Sequence, residues 1–114
     1  MRDHTKLRAF ELAEEVALLV YRETREFPSQ ERYGLASQMR RAAVSAASNI
    51  VEGCARKSHG DYLRFLDIAH GSARELEFQV GLSLKLGLPI SQALMGKSVE
   101  LSKVLNGLIS SLSA

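Results

Sequence analysis

The chain has a single cysteine, two prolines and no tryptophan. One thiol, Cys54, excludes an internal disulfide and leaves no second cysteine at zinc-ligand spacing. With prolines only at positions 28 and 89, long stretches are free of helix breakers. No apolar run approaches the roughly 18 residues of a membrane span. The opening residues Met1-Arg2-Asp3-His4-Thr5-Lys6 lack the apolar stretch of a secretion signal. These absences lead us to expect a cytoplasmic protein with no membrane partner. Charge of one sign is also scarce, with 15 Lys and Arg against 13 Asp and Glu. A strong nucleic-acid binder is usually more basic. The net +2 lies in residues 1–57, where 10 basic residues face 8 acidic ones. Assembly into an oligomer would repeat such a patch and strengthen its field.

What is present reads as one all-α domain spanning residues 1–114, an up-down-up-down antiparallel four-helix bundle. Hydrophobic residues make up 46% of the chain, enough for a core. The first helix is expected from about Thr5 to Arg25, with Phe10, Ala13, Val16, Ala17, Val20, Tyr21 and Thr24 at helical spacing. Phe27-Pro28 ends it. Ser29 is placed to cap a second helix that runs to about Cys54 and buries Leu35, Met39, Ala42, Ala43, Ala46 and Ile50. Gly53 fits the stop of that helix. Ser58 and Asp61 resemble a capping box opening a third helix to about Leu86. Its core stripe is Tyr62, Phe65, Leu66, Ala69, Ala73, Leu76 and Val80, and Gly71 is expected to permit a close helix crossing. Gly87 and Pro89 follow. Ser91 caps a fourth helix with a leucine seam at 94, 101, 105, 108 and 112, broken by Ser98.

The segment from Arg40 to Gly53 is rich in small residues, which let a neighbouring helix come close. Some helices carry more apolar surface than one core requires. Tyr33, Val44 and Val51 lie with Arg40 on the second helix's other face, a pattern that marks a protein contact. Met95, Val99, Val104 and Ile109 flank the leucine seam of the fourth helix. We therefore expect a homo-oligomer with Tyr33, Val44 and Val51 at its interface.

Arg40, Arg41, Arg56, Lys57 and Arg64 are the candidate nucleic-acid-binding residues, reaching phosphates through charge and the guanidinium fork. The alternative for Arg40 and Arg41 is an ion pair with Glu52, Glu75 or Glu77. No aromatic interleaving is evident near these clusters, so contacts are expected to be backbone-directed. Asn49 and Glu52 read as a structural polar pair partnered by the nearby arginines. No catalytic residues stand out, so no enzymatic activity is expected. Asp67-x-x-His70 occurs once, whereas a di-iron bundle needs two such motifs and two further Glu. No metal and no cofactor is expected.

Several linked blocks carry a family resemblance. They are Val20-Tyr21-Arg22-Glu23-Thr24-Arg25-Glu26-Phe27-Pro28, Glu31-Arg32-Tyr33-Gly34-Leu35, Gln38-Met39-Arg40-Arg41-Ala42-Ala43-Val44-Ser45, Ser48-Asn49-Ile50 and Glu52-Gly53. Further along come Arg64-Phe65-Leu66, Gly71-Ser72 and Glu75-Leu76-Glu77. The chain resembles the four-helix-bundle family encoded in intervening sequences of 23S ribosomal RNA genes. Relatives include the accessory variability protein of diversity-generating retroelements. The chain has Phe10-Glu11 where the family usually has Trp-Gln, and Ala46-Ala47 where it usually has Ile-Pro. The resemblance implies a pentameric ring and, through the retroelement relatives, contact with RNA or DNA. The expected function is thus non-enzymatic nucleic-acid or ribonucleoprotein binding by a homo-oligomer. The alternative is a scaffold for a protein partner with no nucleic-acid role.

Overall fold

The computed structural model describes residues 2–113, so the two end residues of the expected domain lie outside it. Four α-helices make up most of the chain: α1 (Arg8–Thr24), α2 (Leu35–Cys54), α3 (His59–Lys85) and α4 (Gln92–Ser113). Single 3-10 turns at His4–Lys6 and Ser29–Glu31 precede α1 and α2. No strand occurs among the described residues, so the protein is all-α. Each helix packs on two others: α1 on α2 and α4, and α3 on α2 and α4. The described residues extend over 44 × 20 × 19 Å. The 27 residues of α3 would span about 40 Å of that length.

One core runs through all four helices. Its largest fully buried side chains include Val16 and Val20 from α1, Met39 and Ile50 from α2, Leu66 and Leu76 from α3, and Leu94, Leu101 and Leu105 from α4. The stripes of α2 and α3 are buried much as the spacing predicts, with Leu35 and Phe65 half-buried at their edges. In α1 the buried face is Ala9, Leu12, Ala13, Val16, Val20 and Thr24. The stripe is rotated from the expected one, and it leaves Tyr21 exposed. On α4, Met95, Val104 and Ile109 pack against the core instead of forming a spare apolar face. Ser98, the break in the leucine seam, is fully buried, and its hydroxyl donates to the Leu94 carbonyl at 2.8 Å. A serine is tolerated there because its one donor is satisfied within its own helix.

The helix ends correct three sequence expectations. Thr5 does not open α1: it sits in the first 3-10 turn, capped by the Asp3 carboxylate, and α1 begins at Arg8. Ser29 does not cap α2 either. Pro28 turns the chain into the second 3-10 turn, and α2 starts only after Gly34. The Glu31 carboxylate then accepts from the Leu35 amide at 3.3 Å, placing negative charge at the α2 N-terminus by another route. Gly53 lies inside α2 and is not its stop. A Cβ there would sit 3.0 Å from Phe65 Cβ and 3.3 Å from the Tyr62 carbonyl oxygen. Gly53 is thus the close crossing of α2 and α3, the role that the spacing assigned to Gly71. A Cβ on Gly71 meets nothing within 4 Å.

The other ends follow expectation. The Ser58 hydroxyl accepts from the Asp61 amide at 3.1 Å, and the Ser91 hydroxyl from the Leu94 amide at 3.0 Å. Glu23 of α1 in turn accepts from the Ser91 hydroxyl and amide, both at 2.7 Å, tying α1 to the start of α4. At the end of α3, Leu88 N–H bonds the Ser83 carbonyl and Gly87 N–H bonds the Leu84 carbonyl. This is a Schellman closure, with Gly87 at φ +76° supplying the left-handed residue it requires.

The two glycines give opposite predictions in chemical denaturation. Gly53→Ala should lose about 1–3 kcal/mol, because both obstructing groups are fixed to the α3 backbone. Gly71→Ala should gain about 0.5–1 kcal/mol from helix propensity alone. Equal effects would show that α2 and α3 do not meet at Gly53.

Candidate nucleic-acid interface

The sequence-predicted arginines divide between two ends of α2. Arg41 and Arg56 are separated by about 22 Å of helical rise. The end near the α2–α3 turn is partly neutralised. Arg56 pairs with Glu52 at 3.0 Å, one helical turn away, and Arg64 approaches Asp61 at 3.9 Å. The Arg56 and Arg64 guanidiniums both lie 4.8 Å from the Phe65 ring centre. Arg2 lies 4.0 Å from the Tyr62 ring centre and donates to the Arg56 carbonyl at 3.1 Å. Lys57 is exposed and has no ion pair among the described residues.

The other end is different. A cleft of about 620 Å³ is lined by Tyr21, Arg32, Tyr33, Ser37, Arg40, Arg41, Val44 and Ser45. A second, of about 270 Å³, is lined by Thr24, Arg25, Phe27, Ala36 and again Arg32 and Arg40. No lining residue of either cleft is acidic. None of Arg25, Arg32, Arg40 and Arg41 makes an ion pair among the described residues. The two clefts thus join in an arginine track with no carboxylate in its walls. By contrast, the cleft between α3 and α4 includes Glu77, which pairs with Arg74 at 3.3 Å.

Local structure builds this track. Phe27-Pro28 reverses the chain after α1, and the following 3-10 turn carries Arg32 and Tyr33 back beside α2. Phe27, 9% exposed, anchors that reversal in the core. Arg40 is held in place: its Nε donates to the Thr24 hydroxyl at 2.8 Å, and its guanidinium lies 4.7 Å from the Tyr21 ring centre. Thr24 in turn donates to the Val20 carbonyl at 2.6 Å. Arg40 is therefore fixed by hydroxyl and ring contacts, not by Glu52, Glu75 or Glu77. Arg41 points to solvent.

Tyr33 is 88% exposed and Val44 42% exposed, on the wall of the larger cleft. Val51 is half-buried farther along α2. The residues assigned from sequence to an oligomer contact and those assigned to nucleic acid therefore share one surface at Tyr33, Arg40, Arg41 and Val44. The sequence marks neither Arg25 nor Arg32 as a site residue and places Tyr21 in the core stripe of α1. Their signal was there in the arginines that flank Phe27-Pro28, but only the chain reversal brings them beside Arg40.

Asn49 and Glu52 have separate partners. Asn49 donates to the Ser45 carbonyl at 2.8 Å and to the Ser45 hydroxyl at 3.1 Å, and that hydroxyl lies 2.8 Å from the Ser72 hydroxyl on α3. Glu52 takes Arg56. The small polar network therefore joins α2 to α3 and leaves Glu52 at the surface. Cys54 is fully buried, and burial pushes its thiol above the ordinary range. Tyr62 beside it is raised by burial as well. A raised pKa lowers the thiolate fraction, the reverse of what nucleophilic chemistry uses.

Four packed α-helices bearing an arginine-lined surface define the class of this protein. The profile of the 23S rRNA-intervening sequence protein family matches residues 5–107, and the chain belongs to that family. A similar solved structure is a protein of unknown function from the S23 ribosomal protein family of Bacteroides thetaiotaomicron VPI-5482. The TM-score is 0.77 at 23% identity, over 90% of this chain and 95% of that one, which shows a shared fold. No curated protein matches the chain.

Cys54 should resist iodoacetamide in the folded protein at mildly alkaline pH and react at an ordinary rate in denaturant. Mass-spectrometric counting of alkylated thiol checks this. Rapid native labelling would show that the thiol is neither buried nor raised in pKa.

Proposed function

We propose that this protein is a non-enzymatic, homo-oligomeric bundle that binds nucleic acid or a ribonucleoprotein in the cytoplasm. The observation that carries the reading is the arginine track of Arg25, Arg32, Arg40 and Arg41 with no acidic residue in its walls. Four cations at one end of a chain of net charge +2 concentrate positive potential where the average charge is low. Arginine forks suit phosphate oxygens, which have fixed spacing and accept two hydrogen bonds at once. Lys57, with Arg56 and Arg64, extends the basic surface at the far end in this reading. Among them Lys57 has no carboxylate partner among the described residues.

The bundle is read as up-down-up-down, on the strength of the cyclic packing and the short connections Ala55–Ser58 and Leu86–Ser91. The pentameric ring is proposed from the family resemblance. Five subunits would repeat the arginine track around the assembly. The second reading, a protein scaffold, is favoured by a different observation. Phe78 on α3 is 67% exposed and Leu18 on α1 61%, in addition to Tyr33 and Val44. Large apolar side chains left in water are a feature of protein contacts.

Binding of a mixed RNA or DNA probe should weaken steeply as salt rises, in proportion to the phosphates neutralised. Arg32→Glu with Arg41→Glu should abolish it while leaving the thermal melt unchanged, since both side chains are exposed. Binding that ignores salt and survives the double reversal would favour the scaffold. Light scattering on a sizing column should give five times the 12.6 kDa chain mass. Val44→Asp that keeps the parental mass would remove Val44 from the subunit contact.

A further inference from the structure

We propose that Tyr33 is a stacking platform for an unpaired base, so that the ligand of the arginine track is single-stranded nucleic acid. This deepens the reading above and rests on it. Tyr33 belongs to the chain reversal between α1 and α2, outside any helix, and is 88% exposed. Three other rings carry guanidiniums, with Arg40 over Tyr21, Arg2 over Tyr62, and Arg56 and Arg64 over Phe65, and Phe27 in the second cleft is buried. No guanidinium covers the Tyr33 ring among the described residues.

The ring shares its cleft with Arg32, Arg40 and Arg41, and the cleft's 620 Å³ lies within the about 300–1,000 Å³ usual for small organic ligands. The ligand it fits has a flat apolar face next to an anion, which is the chemistry of a nucleotide. A duplex hides those faces in its own stack and leaves phosphates, sugars and base edges exposed. A single strand offers both at once. Stacking accepts any base because every base has a π-face. The hydroxyl of Ser37, exposed on the same wall, adds a polar group without a hydrogen-bonding partner among the described residues. A base seated on Tyr33 would leave its phosphates within the arginine track, and Arg40, held by Thr24 and Tyr21, needs no rearrangement to meet them.

The test uses the full chain with a short fluorescent oligo(U) and a blunt-ended duplex of equal charge, by fluorescence anisotropy at low salt. The single strand should bind more tightly. Tyr33→Ala should weaken it about five- to a hundred-fold and leave duplex binding unchanged. Tyr33→Phe should restore the affinity. The chain has three tyrosines and no tryptophan, so tyrosine emission reports directly. Oligo(U) should quench part of it in the parent and not in Tyr33→Phe, which lacks the stacked phenol. Equal binding of both probes, unaltered by Tyr33→Ala, would overturn the stacking proposal while leaving the nucleic-acid reading standing. Failure of both probes to bind would overturn both. Loss of the parental mass in Tyr33→Ala, measured by light scattering, would assign the ring to a subunit contact and overturn the proposal.

Discussion

The approach of α2 to α3 is the constraint on which the rest depends. Ala42, Ala43, Ala46 and Gly53 give α2 a face with little side-chain bulk, and at Gly53 the α3 side chains come so near that a methyl group would collide. Longer side chains fill in beside it, where the Met39 sulfur of α2 meets the Ser83 hydroxyl of α3 at 3.4 Å. The hydroxyls of Ser45 and Ser72 meet across it, and Asn49 holds the Ser45 side. With its inner face committed in this way, α2 turns Arg41 and Val44 outward. Arg40 reaches sideways to α1 and the Thr24 hydroxyl. The arginine-lined surface is in that sense the reverse side of the packing.

The charge distribution follows a similar logic. Carboxylates pair with part of the basic surface: Glu100 takes Arg8, Glu15 takes Lys97, Glu52 takes Arg56 and Glu77 takes Arg74. Exposed pairs of this kind contribute little to stability, of order 0–1 kcal/mol each. Arg25, Arg32, Arg40 and Arg41, without ion pairs among the described residues, sit where the chain reverses after α1. A net charge of +2 describes the average and conceals that end.

Much of the fold was legible in the sequence because helical periodicity and caps are local. Ser58, Ser91 and Gly87 mark their boundaries through bonds within a few residues, and the stripes of α2 and α3 follow one period throughout. One misread feature was a competition between local signals, and the others depended on tertiary packing. The start of α2 shifted because Pro28 and Gly34 favour a separate turn and Glu31 takes over the capping that Ser29 was expected to provide. Gly53 and Gly71 could not be ranked as crossing points without knowing which one faces α3 or α2. Tyr21 fits the periodic stripe of α1, yet the helix is rotated so that Leu12 is buried and Tyr21 is not. The site was legible in part. Spacing singles out Arg40, Arg41, Tyr33 and Val44 and puts Arg40 on one face with Tyr33 and Val44, but it assigns the arginines to nucleic acid and the apolar residues to a subunit contact. Arg25 and Arg32 join them only through the chain reversal, which spacing along a helix does not encode.

In the proposed function, nucleic acid meets this protein at the arginine track between α1 and α2. Ultraviolet cross-linking to a short RNA, followed by peptide mapping, locates the contact. Adducts are expected within residues 21–45, centred on Tyr33. Adducts confined to residues 54–65, at the far end of α2, would contradict that assignment.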